Sequence, residues 1–166
     1  MKKLIAYFSR SGNNYVNGTI KNLEVGNTEI AAKMIKEITG SDIFKIEPIR
    51  VYSIDYSRCI EEAKDDLNRD ARPELKDYLD SIEEYDVIYL GYPNYWGTMP
   101  MAVFTFLEKY DFSNKIIKPF CTHEGSGTGS SINDIKKICP QAKIKSALSI
   151  HGADVKQAGE SIKKWI

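Results

Sequence analysis

Cysteine is scarce: Cys59, Cys121 and Cys139 are the whole complement of three in 166 residues. An odd number with no C-x-x-C spacing argues against a disulfide framework and against a zinc site, leaving reduced, mostly structural thiols as the expectation. Net charge is missing as well, with 23 Lys and Arg against 23 Asp and Glu. The chain therefore has no global basic field for nucleic acid, and a partner that reads charge must read a local patch. Long apolar runs are absent too. The opening MKKLIAYFSRSG has the lysines of an export signal, but its apolar run breaks at Ser9, short of the ~7–15 residues such a signal needs. Nothing later approaches the ~18 apolar residues of a membrane span. The expectation is a cytoplasmic protein with neither nucleic acid nor membrane as partner. Repeats, low-complexity tracts and linkers are all lacking, so residues 1–166 read as one domain.

Two nucleotide signatures are missing. No G-x-x-x-x-G-K-[ST] occurs, which disfavours a nucleoside triphosphate with magnesium, and GSGTG at 125–129 does not satisfy G-x-G-x-x-G.

What is present is a rhythm. KLIAYF (3–8), DIFKIE (42–47), DVIYLGYP (86–93), KIIKPFCT (115–122) and KIKSALSI (143–150) are short apolar or β-rich runs, each followed by helical spacing. A helix over 27–39 sets Ile30, Met34, Ile35 and Ile38 on one face and stops at Gly40. Further helices are expected over 100–109, opened by Pro100, over 131–138, stopped before Pro140, and over 154–165, with Val155, Ala158, Ile162 and Trp165 aligned. Residues 48–85 are the least regular, with a helix expected near 57–70, a break at Arg72 and Pro73, and a short helix near 75–82. Residues 54–86 hold twelve acidic against five basic side chains, either a solvated helix face or a docking surface. Strands alternating with helices imply right-handed crossovers and a doubly wound α/β fold, a five-stranded parallel sheet covered on both faces.

In such a sheet a ligand sits outside the carboxyl ends of the strands. After the first strand, Ser9-Arg10-Ser11-Gly12-Asn13 offers hydroxyls and backbone N–H groups at the mouth of a helix, a way to hold phosphate without lysine or simply a turn geometry. After the third, Pro93-Asn94-Tyr95-Trp96-Gly97 exposes an aromatic pair, which implies a flat ligand unless Trp96 folds back onto the core. After the fourth, Thr122-His123-Glu124-Gly125-Ser126-Gly127 lets a ligand edge approach the backbone. There His123 and Glu124 are either an acid/base pair or a polar rim. Together the loops point to one ligand with a phosphate tail and a broad ring.

The order strand, S-x-S-G-N, helix, then GYPNYWGTMP, then THEGSGTG resembles the flavodoxin-like family over essentially the whole chain. The resemblance implies strand order 2-1-3-4-5 and FMN as cofactor. It further implies phosphate held by Ser9, Ser11, Gly12, Asn13, Asn27 and Thr28. The isoalloxazine would meet Pro93, Asn94, Tyr95, Trp96 and Gly97, and its pyrimidine edge Thr122, Glu124, Gly125, Ser126 and Gly127. The implied role is electron carriage between redox partner proteins. The alternative is an NAD(P)H-dependent reductase of quinones or similar small-molecule electron acceptors, and monomer and homodimer both stay open.

One feature departs from that pattern. The family's phosphate loop runs straight into its helix, whereas here SRSGN is parted from NTEIAAKMI by residues 14–26. YVNGTIKNLEV alternates apolar and polar positions about Asn17-Gly18, so a small exposed hairpin or compact loop is expected there. Asn27 or Thr28 would cap the helix and bring the two halves back together.

Overall fold

The computed structural model describes all 166 residues. Strand β1 (Lys3–Tyr7) is followed by a hairpin of β2 (Gly12–Val16) and β3 (Thr19–Leu23), then α1 (Asn27–Thr39), β4 (Asp42–Lys45) and α2 (Tyr56–Asn68). Next come β5 (Val87–Pro93), α3 (Met101–Lys109), β6 (Ile116–His123), α4 (Ser131–Ile138), β7 (Lys143–Ile144) and β8 (Leu148–His151). A 3-10 segment, Gly152–Gln157, leads into α5 (Gly159–Trp165). The main sheet is parallel throughout and runs β4-β1-β5-β6, with β7 and β8 sharing the last position beside β6. This is the expected order 2-1-3-4-5, with helices on both faces.

The last strand is not the continuous run expected over 143–150. β7 pairs with Ile116 and Ile117, β8 pairs with Phe120 through His123, and Lys118 and Pro119 face the gap. The Ile117 carbonyl accepts from Lys145 N at 2.9 Å. Alternation along a parallel strand then turns Pro119 toward the same neighbour, where it has no N–H to give.

Nor is 75–82 a helix. Pro48 and Leu75 form an antiparallel bridge, with Ile49 N donating to Glu74 O and Lys76 N to Glu47 O. The Tyr110 hydroxyl takes up both backbone groups of Leu79, at 2.7 and 2.9 Å. Leu75 and Ile82 are buried in this extended form. The segment thus satisfies its backbone through tertiary partners, which overrides a weak local helix preference.

Helix α1 has the expected span and ends in left-handed Gly40. Its packed face, however, centres on Thr28, Ala31, Ala32 and Ile35, while Ile38 is largely exposed. The small alanines let the helix axis approach the sheet, which rotates the stripe away from Ile38. The two sheet faces carry separate clusters, one around Leu4, Leu90, Tyr92 and Phe106, the other around Ile5, Tyr89, Phe120 and Ile162. Val155, Ala158 and Ile162 are buried in the second as expected. No helix is long and apolar enough to cross a membrane.

The excursion does contain a hairpin, which spans 12–23 and so takes in Gly12 and Asn13 while leaving 24–26 outside it. β2 and β3 pair antiparallel with Val16 opposite Thr19, and Asn17 (φ 52°) and Gly18 (φ 84°) supply the two positive-φ positions of a type I′ turn.

Candidate functional site

A pocket of about 330 Å³ opens at the carboxyl ends of β1, β5 and β6, the place a doubly wound sheet reserves for ligands. At one end stands the N-terminus of α1. The two halves of the interrupted loop meet here, as a cap that neither Asn27 nor Thr28 makes. The cap position is Gly26, with extended backbone and no side-chain acceptor of its own. The Ser9 hydroxyl, arriving from the end of β1, accepts from Glu29 N at 3.1 Å in its place. Only glycine fits at 26, because a Cβ would lie 2.2 Å from Ser9 Oγ and 2.5 Å from Arg10 O. The Asn27 and Thr28 N–H groups head the helix without intrahelical acceptors, as the first turn of any helix must, and so favour an anion. The Thr28 and Thr122 hydroxyls share a buried hydrogen bond of 2.8 Å, tying helix to β6.

Of the expected phosphate residues, Ser9, Asn27 and Thr28 border the pocket. Ser11 is exposed, Gly12 and Asn13 belong to β2, and none of the three reaches the lining. Arg10 and Asn14 take their place in the wall. The Arg10 guanidinium donates to the carbonyls of Asn13, Ser53 and Ile54, pinning the hairpin base to the loop before α2. Asn14 Nδ2 donates to Arg10 O at 2.9 Å, which fixes the turn from β1 into β2.

At the ring end, Tyr95 to Thr98 close a tight turn through reciprocal backbone bonds of 2.8 and 3.3 Å. Trp96 (φ 55°) and Gly97 (φ 86°) are both left-handed there. A tryptophan holds that conformation only where its surroundings impose it. They do so through Trp96 Nε1, which donates to Ile60 O at 2.8 Å, and through Asn94 Oδ1, which accepts from Gly97 N at 2.8 Å. The expected exposed pair is half corrected. Tyr95 turns inward, edge-on to Phe8 at 5.8 Å and tilted against Tyr52, and burial pushes its hydroxyl pKa upward. Trp96 is the exposed member, 49% accessible, and carries Lys64 Nζ 5.0 Å above its ring. The ring loops contain no cation, but α2 supplies one.

The opposite wall escaped the sequence reading. Tyr56, Cys59, Ile60 and Ala63 all border the pocket, and their i, i+3, i+4, i+7 spacing is one helical stripe that the sequence does display. Tyr15 of the hairpin stacks on Tyr56 with centroids 6.1 Å apart and planes 25° apart.

At the third end, Glu124 Oε2 accepts from Asn17 N in the hairpin turn at 3.1 Å and lies 3.7 Å from His151 Nε2. Glu124 therefore faces His151, while its sequence neighbour His123, which also borders the pocket, turns its Nδ1 to Gly125. His123 Nδ1 accepts from Gly125 N at 2.9 Å, and its ring meets His151 edge-on at 5.8 Å. Burial, then the nearby His151, holds the His123 pKa below its ordinary value against the pull of Glu124. Thr122, Glu124 and Ser126 border the pocket, as do Pro93, Asn94, Tyr95, Trp96 and Gly97. Gly125, which is exposed, and Gly127 do not reach the lining, and the Gly127 carbonyl accepts from Asn94 Nδ2 at 2.7 Å. An anion-binding helix start, an aromatic edge and a polar end within one cleft can hold a phosphorylated, planar, hydrogen-bonding molecule.

The chain is similar to a candidate flavoprotein from Bacteroides eggerthii DSM 20697, at 27% identity over 98% of both chains with a TM-score of 0.73. It is equally similar to one from Bacteroides uniformis ATCC 8492, at 27% identity over 98% of this chain and 97% of that one, TM-score 0.76. A flavoprotein from Lactobacillus acidophilus NCFM, solved in complex with FMN, shares the fold at 19% identity over 94% of this chain and 97% of its own, TM-score 0.64. No curated protein sequence matches. The family model described as flavodoxin matches residues 2–166, and with the sheet order and strand-end pocket in agreement, the chain belongs to the flavodoxin family.

Proposed function

We propose that this protein binds FMN in the strand-end pocket and carries electrons between redox partner proteins in the cytoplasm. The observation that carries the reading is the convergence of α1's N-terminus, the Trp96 turn and the Thr122–Ser126 loop on one cleft. The residues present fit the cofactor. The Asn27 and Thr28 N–H groups with the Ser9 and Thr28 hydroxyls suit a phosphate; Trp96, Asn94 and Gly97 suit a flat ring; Thr122, Glu124 and Ser126 offer polar atoms to its edge. FMN supplies the redox chemistry. The chain would orient it and exclude water on the α2 side through Cys59, Ile60 and Ala63, with the Lys64 charge held over Trp96 at the rim. The acidic α2 surface beside Trp96 supplies a face that a basic partner can recognise.

One observation favours a second reading, an NAD(P)H-dependent reductase of small acceptors. Asn14 and Tyr15 of the hairpin border the cleft, so the excursion shapes a pocket as well as decorating a loop. Anaerobic spectra of the FMN-reconstituted protein separate the two. Bleaching of the flavin bands by dithionite and not by NADPH is the expected result. Direct bleaching by NADPH replaces the carrier with the reductase, and failure to retain FMN refutes both.

A further inference from the structure

A second cavity, of about 370 Å³, lies on the α1/α5 face of the sheet at the opposite ends of the strands from the FMN pocket. Its floor is built by register: Lys3, Val87 and Ile116 form one row across β1, β5 and β6, and Tyr89 and Lys118 form the next on the same face. Trp165 of α5 packs on Tyr89 with centroids 5.6 Å apart, so that Val87 and Tyr89 are buried while Lys3, Ile116 and Lys118 stay partly exposed. The break between β7 and β8 brings Lys145 and Ser146 to the rim.

The chemistry there is unbalanced. Lys118 Nζ donates to the Trp165 carbonyl at 2.7 Å, which occupies one of its three N–H bonds. It also lies 4.9 Å from the Trp165 ring centroid and 5.9 Å from that of Tyr89. Lys118 is partly buried, and Lys3 and Lys145 are close enough to disfavour its charge further. The chain's ion pairs engage Lys2, Lys33, Lys45 and Lys163, and none engages Lys3, Lys118 or Lys145. Two like charges beside a partly desolvated ammonium are unfavourable unless an anion joins them. No Asp or Glu side chain is among the residues that line the cavity.

We propose that this cavity is a binding site for a small organic anion with an aromatic or apolar body, its acid group held by Lys3, Lys118 and Lys145 and its body lying against Ile116 and Trp165. The break opposite Pro119 serves the site by opening the edge of the sheet beside Lys118. This site is independent of FMN, since sheet and helix separate the two cavities.

The test uses the full-length, FMN-loaded protein with 2-naphthoate as probe and its neutral carboxamide as control. Binding is followed by amide and indole N–H shifts in heteronuclear NMR. The expected result is saturable 2-naphthoate binding that shifts Trp165 Nε1–H and the Lys3 and Lys118 amides, at least ten-fold tighter than the carboxamide. Lys118→Gln weakens it ten-fold or more while the melting curve shows the variant folded; should that variant unfold, Lys145→Gln, on the exposed rim, gives the same reading. Equal affinity for the carboxamide, shifts confined to the Trp96 pocket, or unchanged affinity in the folded lysine variants overturns the proposal. A probe-independent dimer that buries Trp165 would overturn it in favour of a second copy of the chain as occupant.

Discussion

Gly26→Ala tests the joint on which the split loop depends. The backbone at 26 has φ −64° and ψ 153°, open to any residue, so alanine brings no dihedral strain. What it brings is a methyl 2.2 Å from Ser9 Oγ, 2.5 Å from Arg10 O and 2.9 Å from Arg10 C. Two of these are backbone atoms that cannot rotate away. Overpacking of this kind costs roughly 1–3 kcal/mol. Displacing Ser9 breaks its bond to Glu29 N, worth about 1 kcal/mol, while the stiffer unfolded chain returns ~0.4–1 kcal/mol. The net expectation is a destabilisation of roughly 1–3.5 kcal/mol, read as a lower urea midpoint at unchanged slope. FMN affinity falls at least ten-fold in parallel, because the same methyl pushes Ser9 and the helix start apart. Gly159→Ala is the control: nothing lies within 4 Å of its Cβ position, and it gains ~0.4–1 kcal/mol. If Gly26→Ala is as stable as Gly159→Ala and binds FMN normally, the two halves of the loop do not meet as described.

Trp96→Ala removes the exposed aromatic at the ring end and is expected to weaken FMN binding about ten-fold, the equivalent of ~1.4 kcal/mol of ring contact, with little change in the urea midpoint since the side chain is 49% exposed; unchanged affinity in a fluorescence titration would remove Trp96 from the site. His123 titrates below 6.5 in the folded protein, so the unfolded chain takes its proton first and stability drops as pH falls from 6.5 through the folded value. Histidine NMR titration and urea unfolding on both sides of this window check it, and His123→Gln flattens the dependence. Burial pushes the Cys121 thiol up to about 12 and the Cys139 thiol up to about 11, and raises Cys59 too. All three thiols are thus expected to resist Ellman's reagent at pH ~8 until the protein is unfolded; rapid labelling of the native protein would contradict the burial.

The parts of the fold legible in the sequence were those written locally. Asn17-Gly18 marked a turn between alternating residues, read as a small hairpin or compact loop, and the alternation of apolar runs with capped helices pointed to a parallel sheet. What escaped was decided at a distance. Residues 75–82 follow an extended path because Tyr110, thirty-one positions from Leu79, satisfies its backbone, and no window of local sequence contains that partner. The break in the last strand depends on Pro119 of a different strand. Within the site, the loops after the strands were found because their position is set by topology. The α2 wall was missed although Tyr56, Cys59, Ile60 and Ala63 share one stripe, because nothing in the acidic run says which end of the sheet that stripe will meet. Tyr95 and Trp96 look alike in sequence and part company only through the left-handed turn, which sends one ring toward Phe8 and the other out to Ile60.

The excursion at 14–26 shows how a strand-to-helix loop can be interrupted while its two ends stay together. An inserted segment costs little when its ends stay together, since closure entropy grows only with the logarithm of length. Here the ends are held by contacts that exist because of the insertion. Gly26 presses on Ser9, Asn14 bonds back to Arg10, and Arg10 reaches the carbonyls of Ser53 and Ile54. A two-stranded hairpin has little stability alone, so it too must lean on something. It leans through Tyr15 on Tyr56 and through Asn17 N on Glu124, both of which belong to the pocket. The hairpin and the ligand site therefore stabilise one another. The hairpin is thus a wall that joins the first loop to α2 and to the loop after β6.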